Sequence, residues 1–285
     1  MTIQPTDDGA AYLIVNADDF GYYRCISAGI AHAHSDGIVT ATSVLSNYPR
    51  FREDLALLHE RPKLDVGVHL NLTSGKPLSN TLAAKLHRNG GRFPSKLGLL
   101  KGLATGHIKP ADVEAEWSMQ VQACVDEGLK PCFLNSHEHM HMLPWLFPVA
   151  QRVAEQFSIR HLRLSAPDSV TLRDPAAAMR DIPLWFLQKR ARTSLRWPAA
   201  TFLGLGTSCR MTLNHVRDFL GKLEAGKVYE LMCHPGFRDT AEIKDTRLLG
   251  YHDWEAETAA LTDPSIPGLL DEHGVRLIGY REIEN

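Results

Sequence analysis

Seven apolar, β-rich runs punctuate the chain: AYLIVN (11–16), GIVTATSVLS (37–46), LDVGVHLNLT (64–73), PCFLNSH (131–137), IRHLRLS (159–165), KVYELMCH (227–234) and VRLIGY (275–280). They are nearly continuous in apolar residues, the pattern of parallel strands covered on both faces. Stretches of helical periodicity separate most of them. In KPADVEAEWSMQVQACVDEGLKP (109–131), Val113, Trp117, Val121 and Cys124 form a stripe, Pro110 suits a first turn and Gly128 a stop. TLNHVRDFLGKLEAG (212–226) reads likewise, with Thr212 as N-cap and Gly226 as stop. Repeated strand–helix alternation leaves two α/β architectures: a mostly parallel sheet of about seven strands closed as an irregular (β/α) barrel, or an open doubly wound sheet. With no internal repeat or low-complexity linker, residues 1–285 are expected to form a single domain, with 176–210 a candidate helical insertion or lid.

Composition excludes several classes of function. A net charge of -2 gives no electrostatic reason for nucleic acid or an anionic membrane as main partner. The five cysteines, 25, 124, 132, 209 and 233, are odd in number and contain no C-x-x-C pair, which suits reduced thiols in a cytoplasmic protein. The N-terminal apolar run is too short for a signal sequence and no stretch reads as a membrane span.

Polar residues gather where such folds place their chemistry, at the carboxyl ends of strands. The first run leads into Asp18 and Asp19, the third into His69, the fourth into His137, and KVYELMC into His234. NSHEHMHML (135–143) sets His137, His139 and His141 on alternate positions, which on an extended segment share one face. Each feature alone suits a capped strand end or a turn; together they suit a metal site. One carboxylate and two imidazoles leave coordination positions open for water and substrate. Such an ion lowers the pKa of bound water and polarises a carbonyl. Of two adjacent carboxylates, one can bind metal and the other accept a proton, and spacing alone does not say which. Neighbours on a regular strand face opposite ways, so a bend is needed, expected at Phe20–Gly21. A further histidine can protonate a departing amine. Two aspartates and three histidines of this kind read as metal-assisted amide hydrolysis. A hard carboxylate suits Mg²⁺ and two imidazoles suit Zn²⁺.

At these residues the sequence resembles the YdjC-like carbohydrate deacetylases, the family that contains bacterial chitooligosaccharide deacetylase. The matching blocks are LIVNADDFG (13–21), DGIVTATSVLSN (36–47), GVHLNLTSGKPLS (67–79), SHEHMHMLP (136–144) and ELMCHPG (230–236), in the family's order. The resemblance implies a deformed (β/α) barrel related to the polysaccharide deacetylases, a divalent metal, and removal of the N-acetyl group from an amino sugar or short oligosaccharide. Carried over by position, it makes Asp19, His69 and His137 the metal ligands. It makes Asp18 the general base and His234 a candidate acid or base. His139 and His141 then line or brace the site, and a homodimer is an expectation from the related proteins. One position departs: many members carry Asp before the Ser-His of the fourth block, and here it is Asn135. A lost charge there weakens the tuning of a ligand, whereas a purely hydrogen-bonding role is served nearly as well by Asn.

Two further segments have competing readings. WFLQKRARTSLRW (185–197) is expected as a surface helix with Trp185 and Phe186 inward, or as an amphipathic helix on an anionic partner. Arg163 sits near a strand end, where a bond to a sugar hydroxyl and a scaffold ion pair are both open, and His139 is a second candidate substrate contact. GLGTS (204–208) lacks the spacing and lysine of a phosphate-binding loop. Two alternatives to sugar deacetylation stand: hydrolysis of another amide or ester, such as an acylated lipid-linked substrate, and a sugar-binding or regulatory protein with weakened catalysis.

Overall fold

The computed structural model describes residues 9–168 and 175–283. Its strands are β1 (Ala11–Phe20), β2 (Ala41–Val44), β3 (Asp65–Leu70), β4 (Phe133–Ser136), β5 (His161–Leu162), β6 (Thr201–Leu203), β7 (Val228–Cys233) and β8 (Val275–Leu277). Each of the seven apolar runs falls on one of them, and β1 continues four residues past the end of its run. β6 is the addition; three residues with a single buried side chain carry too little periodicity to read.

The pairing order β5-β4-β3-β2-β1-β7-β6 decides between the two architectures. It is the cyclic order of a (β/α) barrel, 1 to 7 around a ring, opened between β5 and β6, where no pairing occurs among the described residues. The recorded pairings are parallel. β8 takes the start of β1 (Ala11 opposite Val275, Leu13 opposite Leu277), while β2 takes its later half from Asn16. All ten residues of β1 are buried, as the innermost strand of such a sheet requires.

The helix Pro110–Asp126 has the expected limits, with Val113, Trp117 and Val121 fully buried and Gly128 at φ +78° beyond its end. The helix Leu213–Leu220 is shorter than expected and stops at Gly221, while Gly226 (φ +73°) turns the chain into β7. The 176–210 segment is not all insertion: a helix spans Pro175–Ser194, but β6 within it belongs to the sheet. Phe186 is 61% exposed rather than inward, whereas Leu184 and Leu187 pack on the core and Trp185 is half-buried with Lys189 Nζ 3.8 Å from its ring centroid. Consecutive helical residues point about 100° apart, so one face cannot bury both aromatics. The amides of Gly204 and Gly206 both donate to the Asp168 carboxylate at 2.6 Å, so the GLGTS turn serves a side chain of its own chain.

One contact carries the site loop. A Cβ added to Gly29, in the helix Arg24–Ser35, would lie 2.3 Å from Cα of Gly236, two residues after His234. Gly29→Ala is expected to lower the thermal midpoint, costing about 1–3 kcal/mol of overpacking. An unchanged midpoint in a melting experiment would show that the two backbones can part freely.

Candidate functional site

Asp18 and Asp19 close β1, where a regular strand would send them to opposite faces. The register against β2 slips there: Ala17 stands opposite Thr42 and Phe20 opposite Val44, so three steps on β1 match two on β2. This is a β-bulge. Inside it Asp19 adopts φ +73°, a conformation Asp tolerates better than most residues. The bend expected at Phe20–Gly21 therefore begins at Asp19, and Gly21 (φ +85°) continues it. As a result both carboxylates reach the ring of His69, which closes β3: Asp19 Oδ1 is 3.3 Å from Nε2 and Asp18 Oδ1 is 3.8 Å from Nδ1.

His137 follows β4 and sets Nδ1 3.1 Å from Asp19 Oδ1. The three histidines do not share the face of a strand. β4 ends at Ser136, and Glu138 (φ +56°) and His139 (φ +58°) are left-handed, so the row coils. His141 turns away and is fully buried, its Nε2 2.9 Å from the carbonyl of Arg163 and its Nδ1 2.6 Å from Ser136 Oγ. The carbonyl can only accept, so Nε2 carries the proton and Nδ1 accepts from the serine hydroxyl. His141 thus ties the coil to the end of β5. His139 is half-buried, with Nδ1 2.9 Å from Ser165 Oγ.

Asn135 fills the gap between His69 and Asp18. Its Oδ1 lies 2.7 Å from His69 Nδ1, and its Nδ2 donates to Asp18 Oδ1 at 2.9 Å and to Ser43 Oγ at 3.1 Å. The amide oxygen cannot donate, so His69 carries its proton on Nδ1 and presents the Nε2 lone pair beside Asp19. That is the tautomer a metal ligand needs. Both hydrogen-bonding duties of this position are met by a neutral amide.

Asp18 is the most heavily bonded carboxylate of the group. Oδ1 accepts from Asn16 Nδ2 (2.7 Å), Ser43 Oγ (2.8 Å), Asn135 Nδ2 and Arg163 Nη2 (3.0 Å), and Oδ2 accepts from Arg163 Nη1 (2.6 Å). Burial pushes its carboxyl up, but Arg163 and then the neighbouring histidines outweigh this and hold it well below the usual range. Arg163 also donates from Nε to Glu230 Oε1 at 2.5 Å, spanning the opening beside β6, and its side chain is 0% exposed. Of the two readings of Arg163, this geometry matches the scaffold ion pair, with Nε, Nη1 and Nη2 all bonded to the buried carboxylates of Glu230 and Asp18. Asp19 is pushed up by burial, but His137 and His69 together outweigh this and hold it well below the usual range. His137 is depressed by burial but raised further by Asp19.

The ring of His234 is buried beside Cys209 and His252 rather than in the Asp19 cluster. Ser43, Asn16, Glu230, Cys209 and His252 were not singled out from the sequence. Only Glu230 gave a signal, as a charge inside an apolar strand.

Asp19, His69 and His137 each offer a ligand atom, all within 4.8 Å of one another. The 3.1 and 3.3 Å separations at Asp19 suit donors each about 2 Å from one shared ion. One carboxylate and two imidazoles are a donor set for a divalent cation, so the residues fit the group. An open parallel barrel with such a trio at the carboxyl ends of β1, β3 and β4 defines an α/β protein with a candidate catalytic metal centre. The chain belongs to the YdjC-like protein family, whose model matches residues 12–272. A carbohydrate deacetylase of Geobacillus stearothermophilus is 31% identical over 273 residues, covering 95% of this chain and 97% of that one. One from Halalkalibacterium halodurans is 34% identical over 228 residues, covering 80% and 86%. A crystal structure from Enterococcus faecalis V583, described provisionally as a cellobiose-phosphate cleavage protein, superposes with a TM-score of 0.75 at 26% identity, covering 95% and 98%.

Proposed function

We propose that this protein is a divalent-metal-dependent deacetylase that removes the N-acetyl group from an amino sugar or short oligosaccharide. The observation that carries the reading is the convergence of Asp19, His69 and His137 at strand ends, with Asp19 Oδ1 beside His69 Nε2 and His137 Nδ1, in a chain whose full-length relatives are named carbohydrate deacetylases. Asp19, His69 and His137 hold the cation. Once bound, it polarises the acetamide carbonyl and makes water a stronger acid. Asp18, kept ionised by Arg163, accepts the proton of the attacking water; its Oδ2 carries one hydrogen bond and retains a lone pair for this. His234 donates a proton to the departing amine, and acetate and a free amino sugar result. The cytoplasm suits five free thiols, and no helix among the described residues is long and apolar enough to cross a membrane.

A second assignment of roles is favoured by the bonds around Asp18. A general base works best with a pKa near the working pH, whereas Asp18 lies well below it. In this version Asp18 and Asn135 brace His69, and His234 serves as base and then acid. The two versions differ in the acid limb of the pH–rate profile. With Asp18 as base the limb falls below the ordinary carboxylate range; with His234 it falls above the ordinary histidine range.

The deciding experiment is acetate release from N,N′-diacetylchitobiose with added Mg²⁺ or Zn²⁺, abolished by Asp18→Asn. Sugar binding without release, or turnover only of other amides or esters, would overturn the reading. Asn135→Ala removes the acceptor for His69 Nδ1 and a donor to Asp18, and is expected to weaken cation binding by about 10–100-fold. Calorimetric titration of the cation-free protein reads this directly; unchanged affinity would mean that neither hydrogen bond orients the ligand.

A further inference from the structure

The buried group beside His234 has no part in the scheme above. Cys209 Sγ lies 3.8 Å from His234 Nδ1, 3.7 Å from His252 Nε2 and 3.4 Å from Ser208 Oγ. Cys209 is 3% exposed and adopts φ +66°, a conformation disfavoured for a residue with a side chain. Its place is fixed from two sides. The Glu257 carboxylate accepts the amides of both Met211 (3.2 Å) and His234 (2.5 Å), tying the two segments together. The Asp253 amide donates to the Cys209 carbonyl at 2.8 Å.

The proton inventory of the cluster follows from His252. Its ring stacks on Trp254 with centroids 4.8 Å apart and planes 10° apart, and its buried Nδ1 has no hydrogen-bond partner. A proton on Nδ1 would be a stranded donor, so the favoured tautomer carries it on Nε2, pointing at the sulfur. The sulfur therefore accepts from His252, and its own S–H can turn to Ser208 Oγ, which leaves a sulfur lone pair for a proton on His234 Nδ1. Burial lowers His252 to about 3, with His234 adding to the effect, so His252 stays neutral. Burial also lowers His234, but Cys209 and then Glu257 outweigh it and hold the ring well above its ordinary value.

We propose that Cys209 is a positioning residue for His234: its sulfur accepts the Nδ1–H, fixing the tautomer so that Nε2 is the atom left to exchange a proton. A thiol here does the orienting work that a carboxylate does for the histidine of a hydrolytic triad. The titratable groups facing His234 are Cys209, His252, Glu257 and, from β1, Asp18 and Asp19. This inference rests on the deacetylase reading only for its consequence on rate.

The test uses metal-loaded protein carrying ¹⁵N-histidine, as wild type, Cys209→Ala and Cys209→Ser. Cys209→Ala is expected to lower the titration midpoint of His234 by about one pH unit, the scale of one hydrogen bond. Cys209→Ser, which restores an acceptor but not the volume of sulfur, is expected to recover part of it. Because an acid must be protonated, the alkaline limb of kcat/KM for diacetylchitobiose moves to lower pH by the same interval. An unchanged midpoint and tautomer of His234 in Cys209→Ala overturns the inference, as does a moved midpoint with a stationary kinetic limb. If wild type releases no acetate while the His234 midpoint still responds to Cys209, the deacetylase reading fails and the Cys209 contact stands.

Discussion

Asp19→Asn is expected to leave a folded protein that no longer retains a stoichiometric divalent ion and deacetylates on the order of a thousandfold more slowly. Asparagine is chosen because of the backbone. At φ +73° an alanine would add about 1–2 kcal/mol of left-handed strain, whereas Asn and Asp both visit this region. Asn also keeps an oxygen that can accept from His137 Nδ1, so the bulge and its neighbours need not move. What disappears is the one carboxylate of the trio, the anionic donor that sets two neutral imidazoles apart from an ordinary pair of buried histidines. Chelation of wild type should reproduce the loss, and adding back a divalent ion should restore wild type but not the variant. Metal analysis and a melting curve together decide the matter. A variant that keeps both its ion and its rate would remove Asp19 from the metal site.

How much of this could be read from residues alone depended on whether a feature was local in sequence. Strand ends were legible because apolar runs stop abruptly at Asp18, His69, His137 and His234, and the cyclic strand order then brings the first three together. The bulge was not: an Asp-Asp pair after a strand looks the same whether the chain bends at Asp19 or at Gly21. The row of histidines was misleading for a related reason, because alternation implies a shared face only while the strand lasts, and β4 stops at Ser136. β6 was too short to show a period. The partners of Asp18 lie 2, 25, 117 and 145 positions away, and only the fold makes them neighbours. Asn135 changes meaning in the same way. As a sequence departure it suggested a lost charge; in place it accepts from His69 and donates to Asp18, which an ionised carboxylate could not do.

Arg163→Leu is expected to cost about 3–5 kcal/mol, because it strips the cation from two carboxylates that stay buried. Asp18 and Glu230 are 1% and 2% exposed, and the guanidinium between them is the positive charge that bonds both. Lysine is not a conservative replacement: one ammonium cannot give two bonds to Asp18 and a third to Glu230 in the fixed fork of a guanidinium. The pH dependence gives the sharper test. In wild type the carboxyl of Asp18 is depressed, so the stability it contributes is complete above its unfolded value near pH 4 and is lost as pH falls below that. Without Arg163, burial dominates and raises the carboxyl above its unfolded value. The sign then reverses, and acidification from neutrality toward about pH 5 should stabilise the variant as Asp18 takes up a proton. Melting temperatures of both proteins across this range read the two slopes. If Arg163→Leu melts in parallel with wild type throughout, the buried ion pair does not govern Asp18, and the argument that Asp18 is held ionised for its work at the site goes with it.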